Sequence, residues 1–256
     1  MEIKKIFLVL VDISGYTKFI KLHRKSLIHA EGISSELLES IIKVSGHPLV
    51  LHELEGDALS FYALSDGSRK MAQEIFSQAK RFLQAFRARE RELISDCSLC
   101  NCEACARVVQ LKLKAILHYG EGVFTKIRHL NKITGEDMIL AHRLLKNSIK
   151  ADEYILLSEA FYEMGDEFAG SRPQRRTEHC EGIGRVNVTV YFPENESVVD
   201  FPTERSFWDK LKLTAKLDVY YLKRLLVKSS KRYRNLEALH HNAPKANRDV
   251  SEKDGT

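Results

Sequence analysis

Val9-Leu10-Val11-Asp12-Ile13-Ser14-Gly15-Tyr16-Thr17 is the stretch on which the fold turns. The apolar run from Lys5 to Asp12, rich in Ile, Leu and Val, reads as a strand buried on both faces, and Ser14-Gly15-Tyr16-Thr17 breaks it. Asp12 therefore stands at the end of a central strand. The second decisive stretch is Glu55-Gly56-Asp57-Ala58. Pro48 to Leu54 and Leu59 to Ala63 read as short strands, with Glu55-Gly56-Asp57 as the tight hairpin turn between them. A hairpin tip beside a strand end can bring the carboxylates of Asp12 and Asp57 together. Such a pair holds two divalent ions ~3.5–4 Å apart, which clamp triphosphate oxygens and activate an attacking hydroxyl. Hard oxygen ligands of this kind suit Mg²⁺ or Mn²⁺. Each aspartate alone also has a plain structural role, Asp12 as a helix cap and Asp57 as a turn former.

Outward from these stretches the chain alternates strands and helices. Ile33, Leu37, Leu38, Ile41 and Ile42 recur at helical spacing up to Gly46. Ala72, Ile75, Phe76, Ala79, Phe82, Leu83 and Phe86 form the inward stripe of a long helix, whose Arg-rich end, Arg87 to Arg91, is expected to face solvent. Gln110 to His118 alternates as a strand, and Gly120 and Gly122 read as a turn into a partner strand, Val123 to Arg128. Glu136 to Ser148 is a helix with Met138, Ala141, Leu144 and Leu145 inward, and Glu153 to Leu157 and Arg185 to Phe192 are strands. Gly170 to Gly184, polar and glycine-containing, is expected to be mobile. The pattern over residues 5–193 is an α+β sandwich with a mixed or antiparallel sheet on one side.

Composition bounds the function classes. The 256 residues are 44% hydrophobic and 29% charged, an ordinary globular balance. A net charge of +5 is mild over this length and calls for no nucleic acid. Ile6 to Val11 is too short for a signal or a membrane span, so a cytoplasmic location is expected. Four of the five cysteines fall between Cys97 and Cys105, a spacing suited to metal and not to a secreted disulfide framework.

Four stretches in order resemble the class III adenylyl and guanylyl cyclases. Val9 to Thr17 is similar to that family's first metal motif and Glu55-Gly56-Asp57-Ala58 to its second. Leu117-His118-Tyr119-Gly120-Glu121 resembles the strand that follows the family's long helix. Gly135-Glu136-Asp137 through Ala141-His142-Arg143-Leu144 resembles its dimer-arm helix. The resemblance implies a ferredoxin-like cyclase fold over residues 1–195, with Asp12, Asp57 and the backbone carbonyl of Ile13 holding Mg²⁺ or Mn²⁺. It implies a nucleoside triphosphate as ligand and a head-to-tail homodimer with shared active sites. The reaction would be attack of a ribose 3′-hydroxyl on the α-phosphate with loss of pyrophosphate. The cysteine insertion and the run from Ala141 to Asn147 suggest a divergent, little-characterised bacterial branch.

Departures from the family pattern argue against fast turnover. The base-contact positions carry Glu53 and Lys132, a donor and an acceptor with their charges exchanged. The transition-state Asn falls on Ile139, which offers no hydrogen bond, while the partner Arg survives as Arg143. The late phosphate-binding Lys falls on Glu181, whose carboxylate would repel a triphosphate. Losing one preorganised polar contact typically costs ~2.7–4 kcal/mol of transition-state stabilisation.

Two further features lie outside that pattern. Cys97, Cys100, Cys102 and Cys105, at residues 96–106, supply four thiolates for zinc or, less favoured, iron, though the spacing is tight for one mononuclear site. His118 and His142 read as a structural strand residue and an exposed helix residue. Residues 203–240 read as a basic amphipathic helical extension that packs on its own domain or makes a weak membrane-surface or protein contact, and 241–256 as a disordered tail. Three functions stay open: a metal- and nucleotide-binding cyclase-fold protein, slow or inactive; an active nucleotidyl cyclase; and a non-catalytic interaction module on the same fold.

Overall fold

The computed structural model describes residues 1–22, 27–96, 103–128, 130–165, 168 and 173–193. The chain divides into two units, Met1–Pro202 and Thr203–Thr256, and every described residue belongs to the first. The C-terminal extension and tail expected from the sequence therefore lie outside the described residues.

Strand β1 (Glu2–Ser14) is the axis of the fold. Its odd residues Phe7, Val9, Val11 and Ile13 enter one hydrophobic core, while the even residues Ile6, Leu8 and Leu10 enter a second on the opposite face. Burial on both faces explains why the run is apolar without alternation. After Gly15, whose φ of +86° only glycine adopts freely, come α1 (Tyr16–Leu22) and α2 (Leu27–Val44). Next come β2 (Val50–Glu55), β3 (Ala58–Leu64) and the long α3 (Arg69–Asp96). The first core lies between the sheet and the apolar stripes of α2 and α3. Buried Gln78 of α3 steers the chain into β2, accepting from Gly46 N at 3.2 Å and donating to the His47 carbonyl at 3.0 Å.

The short α4 (Glu103–Ala106) leads into β4 (Lys112–Ile127), followed by β5 (Leu130–Thr134) and α5 (Glu136–Leu144). The chain continues through β6 (Tyr154–Ser158), α6 (Glu159–Glu163), β7 (Gln174–Cys180) and β8 (Gly184–Tyr191). The strands form one sheet in the order β2-β3-β1-β4-β6-β8-β7, with β5 pairing to the far part of β4. The β4–β6 pairing is parallel and the others are antiparallel, the mixed sheet expected. Met138, Ala141 and Leu144 of α5 close the second core, so helices cover both faces of the sheet and not one.

Three local expectations are corrected. Gly120 and Gly122 make no turn, because β4 runs unbroken through both, and its new partner is β5. Their role is close approach. A Cβ on Gly120 would sit 2.2 Å from Asp137 Cγ, and one on Gly122 2.5 Å from Ile6 Cδ1. The Arg-rich end of α3 is solvated only at Arg91. Arg89 is buried between Glu36 and Glu92, Arg87 grips Glu153, and Glu90 takes Lys112 at 2.7 Å. The polar stretch after Gly170 contains the edge strand β7, whose residues are mostly exposed because only β8 flanks it.

Candidate metal and nucleotide site

The register of the central strands builds the site. Asp12 stands opposite Ala58 of β3 on one side and Lys114 of β4 on the other. Because β2 and β3 are joined by the two-residue turn Gly56-Asp57, with Gly56 at φ +61°, pairing Ala58 with Asp12 delivers Asp57 to the strand end. The backbone stitches the two segments, since Ile13 N donates to the Asp57 carbonyl at 3.3 Å. The side chains are close enough to perturb each other. Burial first and the Asp12 charge second push the Asp57 carboxyl up to about 6, opposed by its own backbone N–H and by Lys114. Lys114 Nζ lies 2.9 Å from Asp12 Oδ2 and also donates to the Leu145 carbonyl at 3.1 Å. Tyr16 stands nearby, its hydroxyl donating to Glu31 at 3.4 Å; burial, Glu31 and Asp57 all resist its ionisation.

This donor set fits a divalent cation. Two carboxylates that repel one another in a half-buried setting gain from positive charge, and both are hard oxygen ligands. Lys114 already supplies one cation to Asp12, so a metal would share that carboxylate with it. Among the described residues no group of three or more His, Cys, Asp or Glu side chains gathers. Coordination beyond Asp12 and Asp57 would therefore fall to backbone oxygen, water or a bound phosphate.

The remaining predicted residues are placed elsewhere. Glu53, opposite Ser60, is exposed on β2, and Ser60 in turn pairs with Leu10, near the Asp12 end of β1. Lys132 is exposed on β5 opposite Thr125 of β4. Thr125 lies eleven residues along β4 from Lys114, but the sheet curls: Phe124 beside it meets the Tyr62 ring of β3 at 5.6 Å, and Tyr62 meets His52, the neighbour of Glu53, at 5.9 Å. Ile139 on α5 is 56% exposed. Arg143 Nη1 donates to Glu181 Oε2 at 2.9 Å, so the two residues singled out separately form one exposed ion pair. Cys97, Cys100 and Cys102 lie outside the described residues, whereas Cys105 of α4 is buried.

Sequence reasoning missed Lys114 and the polar chain through His118. Lys114 was legible as the polar side of the alternating strand from Gln110 to His118. His118 is buried within β4 and does not end it. Its Nδ1 lies 2.7 Å from Ser158 Oγ and its Nε2 2.9 Å from Asp137 Oδ1, while Asp137 Oδ2 accepts from Glu121 N at 2.6 Å. Ser158 also caps α6, accepting from Phe161 N at 3.2 Å. Nothing pointed to Ser158 or Asp137 as its partners, since each lies on a different element.

The solved structures that this architecture resembles decide its fold. The adenylyl cyclase CyaB from P. aeruginosa superposes with a TM-score of 0.59 at 15% identity, covering 78% of this chain and 98% of that one. The guanylyl cyclase Cya2 gives 0.58 at 16% identity over 77% and 98%. The chain has the class III nucleotidyl cyclase fold. The guanylate cyclase domain of RhGC from Catenaria anguillulae in complex with GTP is similar too, with a TM-score of 0.55 at 14% identity over 75% and 98%. At such identities the likeness carries the cyclase fold and not the chemistry. In sequence, a family model described as "Protein of unknown function (DUF2652)" matches residues 34–154. The uncharacterized protein Rv2561/Rv2562 of Mycobacterium tuberculosis (strain ATCC 25618 / H37Rv) is 28% identical over 192 residues, 75% of this chain and 88% of that one. Among the described residues no helix is long and apolar enough to cross a membrane.

Proposed function

We propose that this protein binds a nucleoside triphosphate with Mg²⁺ or Mn²⁺ between two copies of itself and turns it over slowly or not at all. The observation that carries the reading is the meeting of Asp12 and Asp57 at one end of a cyclase-fold sheet, with the Asp57 carboxyl pushed up to about 6 by burial and its neighbour. Asp12 and Asp57 would hold the ions, with the Ile13 carbonyl assisting, and the ions would supply positive charge to the triphosphate. In a head-to-tail homodimer a second chain would present its β5–α5 segment, Leu130 to Arg143, to the first chain's strand end. Base contact would come from Glu53 and Lys132.

Slow turnover follows from the transition-state side. Only contacts stronger in the transition state than in the ground state raise the rate. Ile139 has no donor to orient a ribose, and Arg143 spends its charge on Glu181. Four thiols at Cys97, Cys100, Cys102 and Cys105 would hold zinc, marking a divergent branch of the fold. The test is Mn²⁺ titration together with incubation of the protein with each nucleoside triphosphate and chromatography of the products. The expected result is Mn²⁺-dependent nucleotide binding that Asp12→Ala and Asp57→Ala each weaken, with trace cyclic product or none. Robust cyclic nucleotide formation abolished by Asp57→Ala would overturn the slow reading, and Mn²⁺ binding indifferent to both aspartates would overturn the site.

A further inference from the structure

Lys114 is the point at which the aspartate end of β1 meets the helix α5. Its Nζ lies 2.9 Å from Asp12 Oδ2 and donates to the Leu145 carbonyl at 3.1 Å. Both side chains of the ion pair are sheltered, Lys114 being 19% and Asp12 21% exposed. Leu145 is the C-cap of α5, and the last carbonyls of a helix have no partner within it. A cation suits that place because the helix dipole leaves negative charge there. The preceding carbonyl, that of Leu144, accepts from Asn147, whose Nδ2 also donates to the Tyr154 hydroxyl at 2.7 Å. Tyr154 of β6 is the ladder partner of Lys114. The end of α5 is thus seated on two adjacent strand residues, one of which also holds a candidate metal ligand.

A divalent ion changes what that ammonium meets. With the ion on one Asp12 oxygen, at the ~2.0–2.1 Å of a magnesium bond, Lys114 is left with the other. The two cations then stand on the order of 5 Å apart in a largely buried setting, where like charges repel more strongly than in water. The lysine side chain is long and flexible, and Asp12 is what fixes its head. Pushed from Asp12, the ammonium holds the Leu145 carbonyl less firmly. The effect is mutual by linkage: an ion that loosens Lys114 is itself bound more weakly because Lys114 is there.

We propose that Lys114 is a positioning residue that yields Asp12 to the metal, so that a cation at the strand end is registered at the end of α5. The inference rests on the metal reading of Asp12 and Asp57 and adds what occupancy does to the rest of the chain. Because α5 carries Arg143, the segment offered to a second copy is the one that responds.

The test uses the full chain and Mn²⁺ alone, without nucleotide. Free Mn²⁺ is read by electron paramagnetic resonance to give the affinity. Amide hydrogen exchange is followed over residues 142–148, which include the bond from Lys146 N to the Arg143 carbonyl. In the wild type, Mn²⁺ should speed exchange there several-fold, the opposite of the slowing that ligand binding brings by itself. Lys114→Met, which removes the charge and keeps the bulk, should tighten Mn²⁺ about tenfold, within the ~5–150-fold typical of coupled sites. Its α5 end should exchange fast from the start and ignore Mn²⁺. Lys114→Arg should keep both wild-type behaviours. A lysine that merely props the helix would leave the Mn²⁺ affinity of Lys114→Met unchanged. Unchanged or weaker Mn²⁺ binding in Lys114→Met overturns the proposal and leaves the metal reading standing. So does wild-type exchange over 142–148 that bound Mn²⁺ fails to speed, a result that decides even where Lys114→Met does not fold. Mn²⁺ binding that Asp12→Ala and Asp57→Ala leave unchanged overturns the metal reading itself.

Discussion

Asp57 and Asp137 are both partly buried aspartates, and their surroundings drive them in opposite directions. Asp137 is held below the usual carboxylate range, chiefly by the hydrogen bond from His118 and, against its burial, by Glu121 N and the imidazole charge. Asp57 is pushed up to about 6, chiefly by burial and by the charge of Asp12. The first carboxylate has its partners inside the chain and ties β4, α5 and, through His118 and Ser158, the cap of α6 into one piece. The second faces a like charge on the neighbouring strand β1 and gains from a cation that the chain only partly provides through Lys114. A polar group serving the fold is satisfied within it, whereas one serving a ligand is left wanting until the ligand arrives.

The largest expected effect comes from breaking the satisfied region. His118→Ala strands the Ser158 hydroxyl and the Asp137 carboxylate, and it should destabilise the protein by on the order of 3 kcal/mol in urea titration. A loss below ~1 kcal/mol would show that water replaces the imidazole and that the chain of bonds is not what holds α5.

Asp57→Asn sharpens the contrast because it should act the other way. Removing one of two repelling charges should leave the metal-free protein as stable at pH 7 or up to about 1 kcal/mol more stable, the gain limited by solvent screening of a half-buried pair. Linkage gives the pH dependence. The folded-state pKa lies above the unfolded value, so the native state binds more protons between the two. The stability of the metal-free wild type should therefore rise as pH falls through about 6. Asp57→Asn should lose that component, and saturating Mn²⁺ should remove it from the wild type. Thermal melts across pH 5–8 check this. A wild-type slope that Asp57→Asn leaves intact would place the titrating group elsewhere.

The smallest effect is expected at the Arg143–Glu181 pair, which is satisfied like Asp137 but more exposed than the aspartate end. A double-mutant cycle with Arg143→Ala and Glu181→Ala should give a coupling below ~0.5 kcal/mol. A larger value would mean that the pair is screened from solvent and helps to set α5.

The buried strands, the two long helices and their inward stripes were legible in the amino-acid sequence because periodic burial writes itself into periodic residue choice, whereas β5 and the exposed edge strand β7 were not. So were the strand-end and hairpin-tip positions of Asp12 and Asp57, which depend on local turn chemistry. Other features were not legible, for reasons that differ by residue. Gly120 and Gly122 look like a turn in one dimension and prove to be clearance for Asp137 and Ile6, which arrive from other elements. Arg89 looks like a surface charge and is buried against Glu36 of α2. His118 carries no local sign of Ser158 or Asp137. Cys105 announces metal chemistry, but its contact with His29 depends on α4 folding back onto α2. Apolar burial is a property of each segment and its own periodicity, so sequence alone determined which faces turn inward. The choice of polar partner is a property of two segments that only the tertiary fold brings together, and it decided which of these charges build the protein and which await a ligand.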